Sequence, residues 1–426
     1  MTSPKTRPTL EKVPTEILDD ITTLLQFGDI CSLRVVSRTI AAKCVHGKLK
    51  KYFANKTVEW TSTAQVQEFV QLTKPQWMGC FLQHLTIVGI SPASTASSNQ
   101  ILLGNALDNL RLNSVHGGLQ SIVLQVRGRD KKRNIISSEK VRDWMSIWMT
   151  ASRTFEIVCR ALIDSALPIQ KLDIFGSIPR CSLACNSIAQ VLDYTDLSKS
   201  LNRLKSLTLS LSHQVVEEAK RGSSESLPSD KSCVGDIWHL IKMCHQLESL
   251  ELHWYNLHSV VKLNEVQRED RLFFTQVVQL DHLSQLRHFC LDGICTDEYT
   301  LLSFLKQAPQ LCSVRMEDVD LKAGKFAPVF SYLTNNMPHL GQLYLDDLFE
   351  SRLICFDGPG EPNFPSSATN GPNKLIRIGN DCQQPIRYRL MKGHSLGSAQ
   401  GLKYIRRKRL LYGPPDEYIA NVDVIT

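Results

Sequence analysis

The sequence predicts an α/β chain: a three-helix segment at the N-terminus, then a long stack of helix–strand units sharing a parallel sheet. Three observations carry that prediction. Residues 10–44 place apolar side chains at a 3.6-residue spacing in three short runs. A six-residue pattern of apolar, two of any kind, apolar, any, apolar recurs eight times further on. Stretches with helical periodicity lie between the copies.

The N-terminal segment reads LEKVPTEILDDITTLLQFGDICSLRVVSRTIAAKC. Pro14 opens an apolar stripe at Ile17, Leu18, Ile21 and Leu25. Thr15 is suited to cap the first helix, and Glu16, Asp19 and Asp20 set negative charge at its positive end. Gly28 is expected to stop it. Asp29 then caps a second helix with Ile30, Leu33 and Val36, and Ser37 caps a third with Ile40, Ala41 and Cys44 on one face. Three helices this short enclose little apolar surface, so the segment needs a partner.

The spacing of Pro14, Glu16-Ile17-Leu18, Ile21, Leu25, Asp29, Leu33 and Val36-Ser37-Arg38 resembles the F-box, the helical motif that docks on the Skp-type adaptor of cullin–RING ubiquitin ligases. Val13 stands where the family usually has Leu, and Ile40 where it often has an aromatic; both remain apolar. The resemblance implies that Pro14, Ile17, Leu18, Ile21, Leu33, Val36 and Ile40 bind the adaptor.

The eight hexapeptides begin at residues 82, 119, 169, 204, 247, 286, 311 and 340. Their alternation is that of a strand with one buried face. Helical stretches at 139–164, at 298–307 behind a Thr296-Asp297 cap, and around Val329, Phe330 and Leu333 fill the intervals, with Pro309 and Pro338 ending the last two. The unit is helix, turn, strand, loop. It resembles an irregular leucine-rich repeat of the kind that fungal F-box proteins carry. Such units bury their apolar faces only by stacking, with strands lining a concave side. The intervals of 25 to 50 residues exceed the usual spacing except for the last two, and the Asn that normally follows the strand is missing.

The expected organisation is an F-box at 10–50, a repeat domain at 55–356, a Pro/Gly/Ser-rich linker at 357–373 and a basic tail at 374–426. Ser-rich stretches at 91–99 and 217–233 read as surface loops. The tail has eight basic and no acidic residues between Cys382 and Pro415, while the rest of the +7 chain is near neutral. YIRRKR at 404–409 fits a nuclear-import signal or a solvated basic segment; a nucleic-acid partner is not expected.

Several chemistries find no support. Gly393-His394-Ser395-Leu396-Gly397 matches the hydrolase elbow, but that fold takes its histidine after the serine, and His394 is the last one here. Cys181 with Cys185, and His282, His288, Cys290 and Cys295, are close in sequence without a zinc-site spacing. No nucleotide-binding fingerprint appears. The 13 cysteines are scattered and read as reduced thiols. No apolar run is long enough to span a membrane, and the first residues lack a signal-peptide core. No cofactor or metal is expected.

Taken with the resemblances, these readings imply a non-catalytic substrate receptor of a Skp–cullin–F-box ligase, cytoplasmic, nuclear or both. It would bind the adaptor, and through it the cullin–RING complex, by the F-box and an unidentified protein substrate by the repeats. The alternative is an F-box repeat scaffold acting outside a ligase. The expected substrate face comprises Glu251, His253, Asp292, Arg315, Glu317, Tyr344 and Asp346, with the four acids aligned into a negative stripe that takes basic segments, the chain's own tail among them.

Overall fold

The computed structural model describes residues 10–391, apart from 45–47, 76–77, 93–96, 142–143, 179–180, 186–187, 189–190, 192–196, 213–233, 256–272, 277–279, 281–282 and 359–370. The loop expected at 217–233, the elbow-like pentapeptide at 393–397 and the basic run at 404–409 lie outside the described residues.

Four helices open the chain: α1 (Thr15–Leu24), α2 (Phe27–Val36), α3 (Arg38–Lys43) and α4 (Lys48–Phe53). Their ends differ from the expectation in two places. Gly28 is the second residue of α2 and does not end α1, and Asp29 is the third residue of α2, not its cap. There its carboxylate accepts from the Gln26 N–H at 3.4 Å, completing a reciprocal cap with the Gln26 side chain. Thr15 is the first helical residue, preceded by Pro14 at the cap position. Ser37 caps α3 as its sequence suggests, accepting from the Ile40 N–H at 3.2 Å.

The remaining elements alternate. They are β1 (Asn55–Glu59), α5 (Thr63–Thr73), β2 (His84–Ile90), α6 (Ser97–Asn113), β3 (Leu119–Arg129), β4 (Ile135–Ser137), α7 (Trp144–Ser165) and β5 (Ile169–Ile174). They continue as β6 (Leu183–Ala184), α8 (Ser198–Leu201), β7 (Ser206–Ser212), α9 (Val234–Lys242), β8 (Ser249–Tyr255), β9 (His288–Asp292) and β10 (Cys295–Thr296). The last are α10 (Glu298–Gln307), β11 (Ser313–Glu317), β12 (Asp320–Leu321), α11 (Phe326–Asn336), β13 (Gln342–Asp346), β14 (Ile354–Phe356), β15 (Lys374–Ile378) and β16 (Tyr388–Leu390).

The main sheet runs β1-β2-β3-β5-β7-β8-β9-β11-β13-β15, so its strands follow chain order, with β4 beside β3 and β6 beside β7 off that path. Every pair along that path is parallel except the last, β13 with β15. The order never reverses, so the sheet has no switch-point crevice of the kind that holds ligands in doubly wound folds. The eight hexapeptides stack in one register: Leu85, Ile122, Leu172, Leu207, Leu250, Phe289, Val314 and Leu343 occupy one continuous row. All eight are buried, in one core with Phe69, Leu107, Phe155, Ile237, Phe304 and Phe330 from the helices. Trimming any of these aliphatic residues to Ala costs about 2–5 kcal/mol. Helices therefore cover this face of the sheet, and a polar face is left opposite.

A further repeating feature ends the strands. Gly293, Asp318 and Asp347 follow β9, β11 and β13 directly, and each has a left-handed backbone with φ of 69°, 52° and 51°. Each donates its N–H to the next unit along: Gly293 to Glu317 O at 3.1 Å, Asp318 to Asp346 O at 3.1 Å and Asp347 to Asn373 O at 3.3 Å. Gly and Asp are among the residues that tolerate this conformation. Beyond the turn, β10 and β12 form a small second parallel sheet.

Of the stretch expected as a loop at 91–99, residues 93–96 lie outside the described residues; residues 97–99 open α6, and buried Asn99 donates from Nδ2 to Trp60 O at 2.8 Å. Residues 374–391, expected to belong to a tail, complete the fold. Here β15 closes the main sheet and β16 pairs with β14. Asn373, at the end of the expected linker, is buried and donates to Asp347 Oδ1 at 2.5 Å.

Candidate protein-interaction surfaces

The N-terminal helices form a small core of their own from Leu18, Ile40 and Cys44, with Val13 and Leu33 packed at its rim. Lys43 ties the end of α3 to the leading turn, its Nζ donating to Glu11 O at 2.8 Å and Val13 O at 2.7 Å. Phe27 joins the bundle to α4, its ring centroid 4.9 Å from that of Tyr52. This core uses up Leu18 and Ile40, two of the residues expected on the adaptor surface, and half-buries Leu33. Pro14, Ile17, Ile21 and Val36 remain exposed.

Three apolar residues join them that the periodicity had not singled out as a surface: Leu24, Phe27 and Val35. Leu24 is 86% exposed, Val35 85%, Val36 66% and Ile17 50%. A scattered exposed leucine is ordinary, but six exposed large apolar side chains within residues 17–36 go beyond that. The signal for Leu24 and Val35 was present as Leu24-Leu25 and Val35-Val36, where two adjacent apolar residues cannot both face one small core.

The second surface is the sheet face opposite the helices. Register sets its side chains in two rows. One reads Thr208, Glu251, Cys290, Arg315, Tyr344 and Ile376; the other reads Ser210, His253, Asp292, Glu317, Asp346 and Lys374. The expected four-acid stripe is therefore corrected. Asp292, Glu317 and Asp346 do align, but His253, not Glu251, lies beside Asp292 in their row. Glu251 lies two residues earlier along its strand, in the row of Arg315, about 7 Å away.

Nor are the acids left bare. His253 bridges two of them, with Nε2 2.8 Å from Glu251 Oε1 and Nδ1 3.3 Å from Asp292 Oδ2. Arg315 donates to Glu317 Oε2 at 2.7 Å, and the Tyr344 hydroxyl donates to Asp346 Oδ2 at 3.1 Å. Thr208 donates to Glu251 Oε2 at 3.4 Å. Asp292, Glu317 and Asp346 are all buried. Two cations share the Tyr344 ring: the Arg315 guanidinium lies 4.5 Å and the Lys374 ammonium 4.8 Å from its centroid.

The electrostatics follow from these contacts. Burial alone would hold the His253 imidazole neutral, but hydrogen bonds to Asp292 and Glu251 outweigh it and lift the pKa to about 9. The hydrogen bond from His253 holds the Glu251 carboxyl below its ordinary range against its own burial. Asp173, at the far end of the face, is pushed up by burial, partly offset by the hydrogen bond from the Gly176 N–H at 2.9 Å. Burial and the nearby Glu251 carboxylate hold the Cys290 thiol protonated, which makes it a poor nucleophile. The face is thus a network of hydrogen-bonded polar and charged side chains.

Among the described residues, no group of three or more His, Cys, Asp or Glu side chains is arranged to hold a metal ion. No described helix is long and apolar enough to cross a membrane. No protein-family model matches the sequence, and no curated protein matches it.

Proposed function

We propose that this chain is a substrate receptor of a Skp–cullin–F-box ubiquitin ligase and supplies no catalytic group of its own. The observation that carries this reading is the exposed apolar face of α1 and α2, in the segment whose residues resemble the F-box. Ile17, Ile21, Leu24, Val35 and Val36 face solvent there, around a core only a few side chains deep. A stable interface buries about 800 Å² on each partner, and burying such a face supplies its apolar centre.

The rest of the chain supports the receptor half of the reading. A sheet whose strands follow chain order, with helices packed on one face among the described residues, supports a leucine-rich-repeat solenoid. It leaves a long polar surface on which a protein can lie. In this mechanism the receptor acts by proximity: tethering raises the effective concentration of substrate lysines at the charged conjugating enzyme. Such a complex works in the cytoplasm, the nucleus or both.

Affinity purification of the tagged chain from its own cells, with ligase and proteasome activity blocked, tests this. The expected outcome is co-purification of a Skp-type adaptor and a cullin, with at least one further protein whose level falls when the block is released. Recovery of the adaptor without any cullin would favour a scaffold acting outside a ligase. Recovery of neither would refute the reading.

A further inference from the structure

The two ends of the main sheet differ in kind. At one end β1 presents Asn55, Lys56, Thr57 and Glu59, a polar edge of the sort that discourages further pairing. At the other, β15 reads Lys374-Leu375-Ile376-Arg377-Ile378, and no strand lies beyond it among the described residues. Ile376 is 56% exposed and Ile378 69%. An edge strand that shows water two isoleucines is either a liability or a binding site.

The surroundings of β15 favour a binding site. The strand is anchored: Arg377 points away from the open face and donates to Asp381 O, Gln384 O and Pro385 O. Lys374, Ile376 and Ile378 stand opposite Asp346, Tyr344 and Gln342, which puts all three on the open face. Lys374 stands at one end of that face, over the Tyr344 ring that it shares with the Glu317-paired Arg315 guanidinium, and the other end is apolar.

We propose that the edge of β15 receives an extended peptide segment of a protein partner, which adds a strand with an acidic side chain opposite Lys374 and apolar ones opposite Ile376 and Ile378. Main-chain hydrogen bonds supply affinity, and the alternate side chains supply selectivity. A second copy of this chain fits less well. Antiparallel pairing about Ile376 would set Lys374 against Ile378, and a five-residue edge falls short of the roughly 800 Å² per partner that stable association uses. Identifying the peptide as part of a ligase substrate rests on the receptor reading; the contact itself does not.

The test is fluorescence anisotropy on the full chain with two fluorescein-labelled nonapeptides. Each carries Asp, Val and Ile at alternate positions among Thr and Ser, one with the acid first and one with it last, so both strand directions are offered. A control of the same composition has the three residues adjacent. One alternating peptide is expected to bind at least about tenfold more tightly than the control, and to lose about tenfold on Ile376→Glu with Ile378→Glu. Lys374→Glu is expected to weaken the Asp peptide and restore binding when the peptide carries Lys instead. That swap has no counterpart in a purely structural role. Absence of binding, equal binding of the control, or indifference to the two isoleucine changes would overturn the proposal. So would binding that appears only after removal of residues 392–426, or a dimer that the isoleucine changes dissolve, since these assign the edge to the tail or to a second copy. Adaptor binding measured on the same variants separates the two readings, because it depends on α1 and α2 alone.

Discussion

His253 shows how one side chain changed the meaning of the open face. Its sequence neighbour Glu251 and, across the sheet, Asp292 looked like open negative charge; the imidazole between them pairs with both. Its folded pKa of about 9 stands above the ordinary 6.5, so the bridge adds stability in full below about pH 6.5. That contribution is lost as pH rises through about 9. Conversion at 1.36 kcal/mol per unit gives on the order of 3 kcal/mol as an upper bound, counted once for the pair of contacts. Denaturant melts of the wild type and His253→Gln across pH 6–10 check this. The wild type is expected to lose stability across that range and the variant to lack that loss. A second residue-scale prediction concerns Leu18, which belongs to the N-terminal core. Leu18→Ala is expected to lower the stability of that segment by about 2–5 kcal/mol, read as faster hydrogen exchange in α1 and α3.

Among the elements, the strands were the most legible part of the sequence. The fourth residue of each hexapeptide lies in one row of the sheet, because a two-residue period with one buried face permits a single register. Helix α10 matched too, since Asp297 is a strong cap: its Oδ1 accepts from the Thr300 N–H at 2.8 Å. The turns after the strands were not anticipated, although Leu291-Asp292-Gly293, Met316-Glu317-Asp318 and Leu345-Asp346-Asp347 repeat an acid followed by Gly or Asp. Reading them required knowing where each strand stops. Gly293 is the least replaceable of the three, because a Cβ there would meet Trp254 O and strain a backbone already at φ 69°. Gly293→Ala is expected to cost about 1–3 kcal/mol. Differential scanning calorimetry of the variant checks that.

At the scale of the molecule, composition misled in one direction. The run 357–373 reads as a linker, yet its last residues pack, and the strand after it caps the sheet. The alternation in Lys374-Leu375-Ile376-Arg377-Ile378 was the available signal, hidden by the basic bias of the residues beyond Cys382. Removing this strand strips the partner from β13 and uncovers its edge. A chain ending at residue 358 is therefore expected to melt several degrees below one ending at 391 and to aggregate on heating, as measured by light scattering. The candidate surfaces were half legible for a related reason. Periodicity finds which residues are apolar, but with a core as small as that of α1–α3 it cannot divide them between the inside and a partner.

That division is the centre of the account, and isothermal titration of the full chain with a purified Skp-type adaptor tests it most directly. The wild type is expected to bind one adaptor per chain, with the negative heat-capacity change that marks apolar burial. Ile17→Asp with Val36→Asp, both at exposed positions, should abolish the heat of binding and leave the melting curve unaltered, since a charge at the centre of the interface is left desolvated and unpaired. An adaptor that gives no heat with the wild type, or equal heat with the variant, would contradict it.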